Sequence, residues 1–179
     1  MRARGIVAAA ALLALSAAAC RKPEAVEPPE RAPAKAEAPA APAFELKGLG
    51  GGTVRLEDLR GKVALVDFWA TFCEPCRESM PELQALYARR KGQGFTVLGV
   101  SMDAYPGEVG AFVKALKVDY PIALDPENRT RAPWGVRGLP TAVLLDREGR
   151  IRRRWLGTDE SAAREMEEAV AALLKEEAR

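Results

Sequence analysis

The sequence predicts a mixed α/β domain in which helices cover both faces of one β-sheet. Two continuous apolar runs of strand length, 63–69 and 95–101, are typical of central strands buried on both faces. Segments with helical spacing follow these runs, and a strand-turn-strand pattern at 141–156 precedes a last helical segment. Together these patterns predict a single sheet with helices packed against it.

The first 43 residues are expected to lie outside this domain. Arg2 and Arg4 precede an almost wholly apolar stretch, 5–19, and a run of alanines then leads to Cys20. This order of charged, apolar and small residues is typical of a secretory signal, and the stretch is shorter than the roughly 18 residues of a membrane-spanning helix. We therefore predict a signal peptide at 1–19 and an exported protein.

The segment SAAAC, 16–20, resembles the lipobox of bacterial lipoproteins, in which the cysteine is acylated. The resemblance implies lipidation of Cys20 and a lipid anchor in a bacterial membrane. Ala17 stands where that pattern usually has leucine, so ordinary cleavage before Cys20 is the alternative. Residues 20–43 are rich in proline and alanine and lack apolar periodicity, which predicts a semi-extended tether.

The domain itself is predicted at 44–179, and its first half alternates strands and helices. Three glycines, 50–52, between two short β-prone segments predict a hairpin. The strand at 63–69 is followed by a helix from Pro75 to about Arg90, which Pro81 should kink.

The second half continues the same alternation. After the strand at 95–101, we predict a helix at 107–117 with Phe112 and Leu116 facing inward, and a short strand at 121–124. A hairpin at 141–156 turns at 146–149. Thr158 is predicted to cap the last helix, whose buried side chains are Met166, Val170, Leu173 and Leu174.

The charge balance indicates no nucleic-acid partner. The sequence has 27 Lys+Arg and 25 Asp+Glu, and removal of Arg2 and Arg4 with the signal leaves a formally neutral chain. The run 152–154 is three arginines, which we interpret as the solvated part of a strand. A docking patch for an acidic partner is the alternative.

The chain contains no histidine and three cysteines. These counts exclude Cys-His and Ser-His-Asp catalytic sites, mixed Cys/His zinc sites and a four-cysteine zinc site. Arg77 after Cys76 excludes a CxxCH haem attachment, and no nucleotide- or flavin-binding motif is present. We expect no cofactor and no metal, which favours a redox-active dithiol in the motif CEPC, 73–76.

The predicted positions of the two cysteines suggest different roles. Cys73 follows a buried strand and precedes a helix, so its sulfur should meet the free amides of the first turn, which favour the thiolate. Cys76 lies one turn inside, where it would be shielded and would resolve a mixed disulfide. Glu74 should oppose thiolate formation and make the protein more reducing. A permanently closed structural disulfide is the alternative.

Asp67 interrupts the apolar run at 63–69. A lone buried carboxylate is costly, so we expect its pKa to be raised and predict a general base for Cys76. The alternative is an aspartate with a backbone partner and no chemical role. Trp69 and Phe72 should add an apolar wall beside the dithiol.

Three segments, VDFWATFCEPCRESMPEL (66–83), GVRGLPTAVLLD (135–146) and DREGRI (146–151), resemble thioredoxins and, more closely, the membrane-tethered TlpA/ResA-like thiol:disulfide oxidoreductases. The resemblance implies a thioredoxin-like fold for 44–179. It also implies that the segment 102–125 is an inserted helix-strand unit.

The same resemblance assigns roles to individual residues. Cys73 is the nucleophile, Cys76 resolves the mixed disulfide and closes the disulfide with Cys73, and Asp67 is the buried acid. Pro140 matches a cis proline beside the dithiol, where the backbone of Leu139 meets the substrate chain. The residues implied to contact a substrate are Trp69, Phe72, Leu139 and Thr141.

Two positions depart from the family pattern. Phe72 replaces the tryptophan usual before the first cysteine, which keeps an apolar face and loses an indole donor. Ser79 stands where ResA-like members have a glutamate, and the neighbouring Glu78 lies about 100° away around the helix.

The leading hypothesis is an exported, membrane-tethered oxidoreductase that reduces disulfides of exported partner proteins. The family suggests apocytochrome c or copper-site cysteines as targets, and electrons would come from a membrane thiol donor. One alternative is a peroxiredoxin-like peroxidase, although Ala70 stands where those enzymes usually have threonine, three residues before the cysteine. Another is a Cu(I)-carrying metallochaperone that uses Cys73 and Cys76.

Overall fold

The computed structural model describes residues 38–157 and 159–176. Their regular elements alternate much as the sequence predicts. The elements are β1 (Glu45–Gly48), β2 (Thr53–Arg55), β3 (Val63–Trp69), α1 (Glu74–Arg90), β4 (Phe95–Ser101), α2 (Val109–Ala115), β5 (Ile122–Leu124), β6 (Thr141–Leu145), β7 (Ile151–Leu156) and α3 (Glu160–Lys175), with short 3₁₀ helices at Leu56–Leu59, Lys91–Gln93 and Pro106–Glu108.

The strands form one seven-stranded mixed sheet in the order β2-β1-β5-β4-β3-β6-β7. β3 runs parallel to β4 and antiparallel to β6, and both neighbours are paired with it along most of its length. β5 is parallel to β4, while β1, β2 and β7 pair with their neighbours antiparallel. β3 is therefore a central strand, as its apolar composition predicts.

The side chains of β3 alternate between two cores. Val63, Leu65 and Trp69 pack with the buried residues of all three α-helices. Ala64, Val66 and Phe68 face the opposite core. The face of the sheet toward this second core is covered by the 3₁₀ helix Leu56–Leu59 and by turns around Trp134. Helices therefore lie on both faces, as predicted, but on this face the helix is the short 3₁₀ helix.

Residues 38–43, which the sequence analysis assigned to the tether, contact the domain. The backbone amide of Ile151 donates to the carbonyl of Pro39, and the amide of Ala41 donates to the carbonyl of Gly149. Ala38 and Ala41 are buried. At the start of β7, some backbone groups point away from β6 and form no hydrogen bonds with it. Residues 38–43 supply hydrogen-bond partners for some of these groups. The packed part of the chain thus begins earlier than predicted.

Two helix details differ from expectation. α2 is shorter than predicted, and Val109 and Val113 are its buried residues. Phe112 and Leu116 are half-buried and pack against the same core, so they face inward as predicted. The predicted cap Thr158 lies outside the described residues. The N-cap of α3 is Asp159, whose carboxylate accepts a hydrogen bond from the amide of Ala162 at 2.8 Å.

The interpretation of all three arginines at 152–154 as solvated is wrong for Arg152. This side chain is buried and makes ion pairs with Asp146 at 3.6 Å and Glu176 at 2.9 Å. Asp146 lies in the turn before β7, and Glu176 follows α3. Because the guanidinium is paired with these two negative charges, the cost of its burial is compensated.

None of the helices in the described ranges is long and apolar enough to cross a membrane.

Candidate active site

The dithiol lies where β3 passes into α1. Cys73 is the N-cap of α1, and its Sγ accepts a hydrogen bond from the backbone amide of Cys76 at 3.2 Å. Pro75 in the first turn needs no hydrogen-bond acceptor for its nitrogen, which suits this position. The sulfur therefore meets the positive end of a helix, as predicted, and this environment favours a thiolate when the pair is reduced.

The two cysteines form a disulfide in the structure, which is the oxidised form of the protein, and they differ in accessibility. Cys73 is 8% exposed, whereas Cys76 is 0% exposed. Cys73 therefore keeps a small contact with solvent, whereas Cys76 has none.

Glu74 is exposed beside the dithiol and has a cationic neighbour. Its carboxylate lies 3.5 Å from the Arg77 guanidinium, which also sits 4.8 Å from the centre of the Phe112 ring. An exposed pair of this kind is screened by solvent and contributes little stability. Arg77 offsets part of the negative charge that Glu74 brings to the surroundings of Cys73.

Asp67 is fully buried, in agreement with the sequence analysis. Both carboxylate oxygens lack a hydrogen-bond partner, and burial raises the pKa of this carboxyl to about 7. Alternation along β3 directs its side chain to the face where Trp69 and Cys76 pack. The alternative of an aspartate with a backbone partner is not what the structure shows. A carboxyl with this pKa can release and accept a proton near neutral pH.

The cis proline is confirmed, because the Leu139–Pro140 bond is cis. Thr141, the next residue, pairs with Phe68 at the end of β3, which brings the Leu139–Pro140 bond to the sheet edge where Cys73 lies. Leu139 is half-buried and packs against both cores. Leu139 is thus partly open to solvent at the edge of the sheet that carries the dithiol.

The other residues implied to contact a substrate are placed very differently. Phe72 is 77% exposed. Trp69 is fully buried and stacks on Phe112, and Thr141 is buried with its hydroxyl donating to the carbonyl of Gly138 at 2.7 Å. Trp69 and Thr141 therefore lie below the surface that a partner can touch, and they shape the site from beneath.

Two further exposed apolar side chains share this edge of the sheet. β3 and β7 are both antiparallel to β6, so they run in the same direction and end at the same edge. Leu156 ends β7 and Tyr105 follows β4, which is parallel to β3. Among the described residues, the exposed large apolar side chains are Phe72, Tyr105 and Leu156.

A groove of about 460 Å³ opens next to Phe72, and its other wall is α2. Its lining combines two aromatic rings, two charged groups and two small side chains, namely Phe72, Phe112, Arg77, Glu108, Thr71 and Ala111. This groove, whose wall includes the residue next to Cys73 in the chain, thus offers both apolar and charged groups.

Asp103, which no sequence pattern singled out, holds the loop that carries the dithiol. The buried Asp103 carboxylate accepts hydrogen bonds from the amide and the hydroxyl of Thr71 and from the hydroxyl of Ser101. The signal in the sequence was that Asp103 is an acid two residues beyond the predicted strand at 95–101. That strand is β4, which runs parallel to β3, the strand before CEPC. Only the pairing of β3 with β4 shows that the two loops meet.

Ser79 is buried, and its hydroxyl donates to the carbonyl of Cys76 at 3.2 Å. Glu78 is exposed on another side of α1. The position of the family glutamate is thus occupied by a neutral group that bonds to the backbone of Cys76.

Within the part of the chain that the structure describes, no cluster of three or more His, Cys, Asp or Glu side chains could hold a metal ion.

Comparison with protein families gives a match to the AhpC/TSA family over residues 38–154. Among curated proteins, the chain is 32% identical to a thiol-disulfide oxidoreductase ResA of Bacillus cereus over 117 residues, 65% of this chain and 68% of that protein. It is 35% identical to ResA of Geobacillus thermodenitrificans over 118 residues, 66% of this chain and 68% of that protein.

Solved structures give the same grouping. A Chlorobium tepidum protein that carries the name thiol:disulfide interchange protein DsbE superposes with a TM-score of 0.74 at 35% identity, over 76% of this chain and 96% of that one. A thiol:disulfide interchange protein from Bacteroides sp. superposes with a TM-score of 0.67 at 31% identity, over 75% and 90%. With its thioredoxin-like fold and its CxxC pair at the start of a helix, the chain belongs to the AhpC/TSA family and is a thiol-disulfide oxidoreductase of the ResA type.

Proposed function

We propose that this oxidoreductase is exported, tethered to a membrane and used to reduce disulfides of exported partner proteins. The observation that carries the proposal is the unequal exposure of the two cysteines, since Cys73 reaches the surface at a helix N-terminus while Cys76 is enclosed. This asymmetry suits an attacking and a resolving thiol. A disulfide with a purely structural role would not need two cysteines of unequal exposure.

The reaction runs in two exchange steps. The Cys73 thiolate attacks one sulfur of the partner disulfide, and the other partner sulfur leaves with the electron pair and takes up a proton. Cys76 then loses its proton, and its sulfur attacks Cys73. The Cys73–Cys76 disulfide forms, the mixed disulfide breaks, and the second partner cysteine leaves as a thiolate. Two electrons pass from the dithiol to the partner.

Asp67 is the proposed base for the second step. Its pKa of about 7 makes it partly ionised at neutral pH, and it lies on the face of β3 against which Cys76 packs. A base with this pKa can take the proton of a shielded thiol and release it after turnover. The isolation of Asp67 from hydrogen-bond partners supports this role over a structural one.

The partner segment is proposed to lie across Cys73 in an extended form. Leu139, before the cis proline, offers backbone groups at this edge, and Phe72 and Leu156 offer exposed apolar surface on either side. These features favour a disulfide in an accessible chain segment flanked by apolar residues. Apocytochrome c and copper-site proteins are the partners that the family resemblance suggests.

Export and anchoring are proposed from the sequence alone. Cys20 and the signal-like segment 1–19 lie outside the described residues, and the lipobox-like SAAAC supports acylation of Cys20. A tether from there to the packed domain would let the dithiol reach a membrane thiol donor, which has to supply the electrons. Mass spectrometry of the N-terminus from native membranes tests this part, and an unmodified peptide that includes Cys20 would contradict it.

The peroxidase alternative has less support. Ala70, at the position where peroxiredoxins usually have threonine, is buried and offers no hydroxyl. The hydroxyl of the adjacent Thr71 donates to Asp103 at 2.5 Å. A Cu(I) carrier could use both thiolates after reduction, and tight copper binding without disulfide reduction would favour it.

Trapping experiments test the proposed reductase. Both trapping variants also carry Cys20→Ser, so that each has a single thiol. The reduced Cys76→Ser variant should accumulate a mixed disulfide between Cys73 and an oxidised protein such as insulin, because the resolving thiol is missing. The Cys73→Ser variant should accumulate none, since Cys76 is enclosed. Equal trapping by both variants, or by neither, would overturn the assignment of roles.

A further inference from the structure

Four buried polar atoms without hydrogen-bond partners belong to three side chains on one face of the sheet. They are the two carboxylate oxygens of Asp67, Nε1 of Trp69 and the hydroxyl oxygen of Tyr120. All three side chains are almost completely shielded from solvent. Buried polar groups in folded proteins are nearly always hydrogen-bonded, and an unpaired one lowers stability. Their grouping calls for a functional explanation.

Gly99 provides the space in which these groups meet. It pairs with Asp67 in the register of β3 and β4, so both residues face the same side of the sheet. A Cβ atom on Gly99 would lie 2.9 Å from Nε1 of Trp69 and 3.2 Å from Cε2 of Tyr120, closer than such atoms normally approach. The nearest atom to that Cβ position is Cδ1 of Ile122, at 2.6 Å. We name the place where Asp67, Trp69, Tyr120 and Ile122 pack around Gly99 the Gly99 notch.

The notch combines one acid with two donors. Burial first, and then the charge of Asp67, raise the pKa of Tyr120 well above its ordinary value, so its hydroxyl stays protonated. The indole Nε1 of Trp69 can only donate. On the other side of Asp67, β6 contributes Ala142, which has no polar side chain.

Titratable groups of α1 and its C-terminal cap face the same packing. Cys76 is bonded to Cys73, and the ring of Tyr87 packs edge-on against Tyr120 with 6.1 Å between centroids. Two cations lie farther out, Arg77 over the Phe112 ring and Lys91 over the Tyr87 ring, and they are paired with Glu74 and Asp119. Neither cation makes an ion pair with Asp67, so neutral donors are the groups available to stabilise its carboxylate.

We propose that Tyr120 is a positioning residue for Asp67, and that its hydroxyl, together with Nε1 of Trp69, donates to the carboxylate once Asp67 ionises. The kinetic consequence rests on the proposed function, in which Asp67 accepts the proton of Cys76. By favouring the carboxylate, the two donors increase the fraction of protein in which the base is ready at neutral pH. They take no part in the exchange of sulfur bonds.

Titration of Asp67 in the oxidised full-length chain tests this inference. The carbon-13 signal of its carboxyl, assigned by its loss in Asp67→Asn, is followed by NMR against pH. In Tyr120→Phe we expect the midpoint to rise by about one pH unit, a tenfold change in proton affinity, because a hydrogen bond to the charged form is lost. The pH dependence of mixed-disulfide resolution should move in the same direction.

Tyr87→Phe is the matched control, since it removes a hydroxyl from the other ring of the same aromatic pair. Its Asp67 midpoint should stay at the wild-type value. If Tyr120→Phe folds poorly, 3-fluorotyrosine at position 120 strengthens the donor and should lower the midpoint instead.

A Tyr120 that only fills space would lower the melting temperature of Tyr120→Phe and leave the Asp67 midpoint unchanged. That result, in either the phenylalanine or the fluorotyrosine protein, would overturn the inference. The titration does not depend on disulfide reduction. A shifted midpoint in a protein that fails to reduce partner disulfides would therefore reject the proposed function and leave the role of Tyr120 standing.

Discussion

The buried carboxylate of Asp103 accepts hydrogen bonds from the backbone amide of Thr71 at 3.1 Å and from its hydroxyl at 2.5 Å. Thr71 lies in the loop between β3 and Cys73, and Asp103 follows β4. The contact thus joins the loop that carries the dithiol to the strand beside it. It holds the N-terminus of α1 in register with the sheet edge on which a partner would dock.

Thr71→Val should destabilise the oxidised protein by roughly 1–2 kcal/mol, because it removes one donor from the buried Asp103 while keeping the shape of the side chain. Urea unfolding measures the change. Thr53→Val, at an exposed position in β2, is the control and should leave stability nearly unchanged. Equal stability of Thr71→Val and the wild type would show that the contact does not hold the loop.

Asp67→Asn should stabilise the oxidised protein, and more so at pH 8 than at pH 5. The pKa of Asp67 is about 7 in the folded protein against the ordinary value of 3.8, so the folded state binds its proton more tightly and loses stability as pH rises from about 4 through 7. The asparagine carries no charge and avoids this loss, which is roughly 4 kcal/mol at most.

Urea unfolding at both pH values checks the Asp67→Asn prediction. Asp119→Asn, at an exposed side chain, is the control and should show no such pH-dependent gain. A stabilisation by Asp67→Asn that is the same at pH 5 and pH 8 would contradict the raised pKa. The same variant should also resolve mixed disulfides more slowly, with a flatter pH dependence around 7, because the proposed base is gone.

Phe72→Ala and Leu156→Ala should each lower kcat/KM for an oxidised protein substrate several-fold. Both side chains are exposed at the edge that carries Cys73, and burying one against a partner contributes roughly 1–2 kcal/mol. The rate with a small aromatic disulfide should stay close to that of the wild type, because it needs only Cys73. Parallel losses with both substrates would place these residues in the chemistry and not in docking.

Arg152→Met should destabilise the protein by roughly 3 kcal/mol, since it leaves the buried Asp146 without its cationic partner. Arg153→Met is the matched control. Its side chain is more exposed and lies 4.0 Å from Glu165, so its loss should change stability by less than about 1 kcal/mol. Thermal or urea unfolding of the two variants checks this, and equal effects would mean that Arg152 behaves as an ordinary surface residue.

Much of the fold was predictable because its signals are local. The apolar runs gave β3 and β4 their correct limits, and the placement of CEPC between a strand and a helix was correct. Asp67 could be recognised because a single acid in a buried strand is conspicuous in the sequence. The cis bond at Pro140 came from the family resemblance and is confirmed.

Features that depend on distant residues were missed. The burial of Arg152 requires Glu176 of the C-terminal segment, and the role of Asp103 requires the pairing of β3 with β4. In the sequence, Gly99 looks like an ordinary strand residue. A side chain is excluded at this position only because Trp69 and Tyr120 pack against it in the folded protein. Such contacts leave no periodic pattern along the chain.

The reduction potential of the Cys73–Cys76 pair tests the central claim most directly. The measurement uses the full-length Cys20→Ser chain, so that this pair is the sole source of thiols, equilibrated against defined thiol buffers. A reductant of protein disulfides should have a potential near or below the roughly −270 mV of thioredoxin. A value near −120 mV, about that of strongly oxidising periplasmic donors, would contradict the reductase and show a protein that makes disulfides.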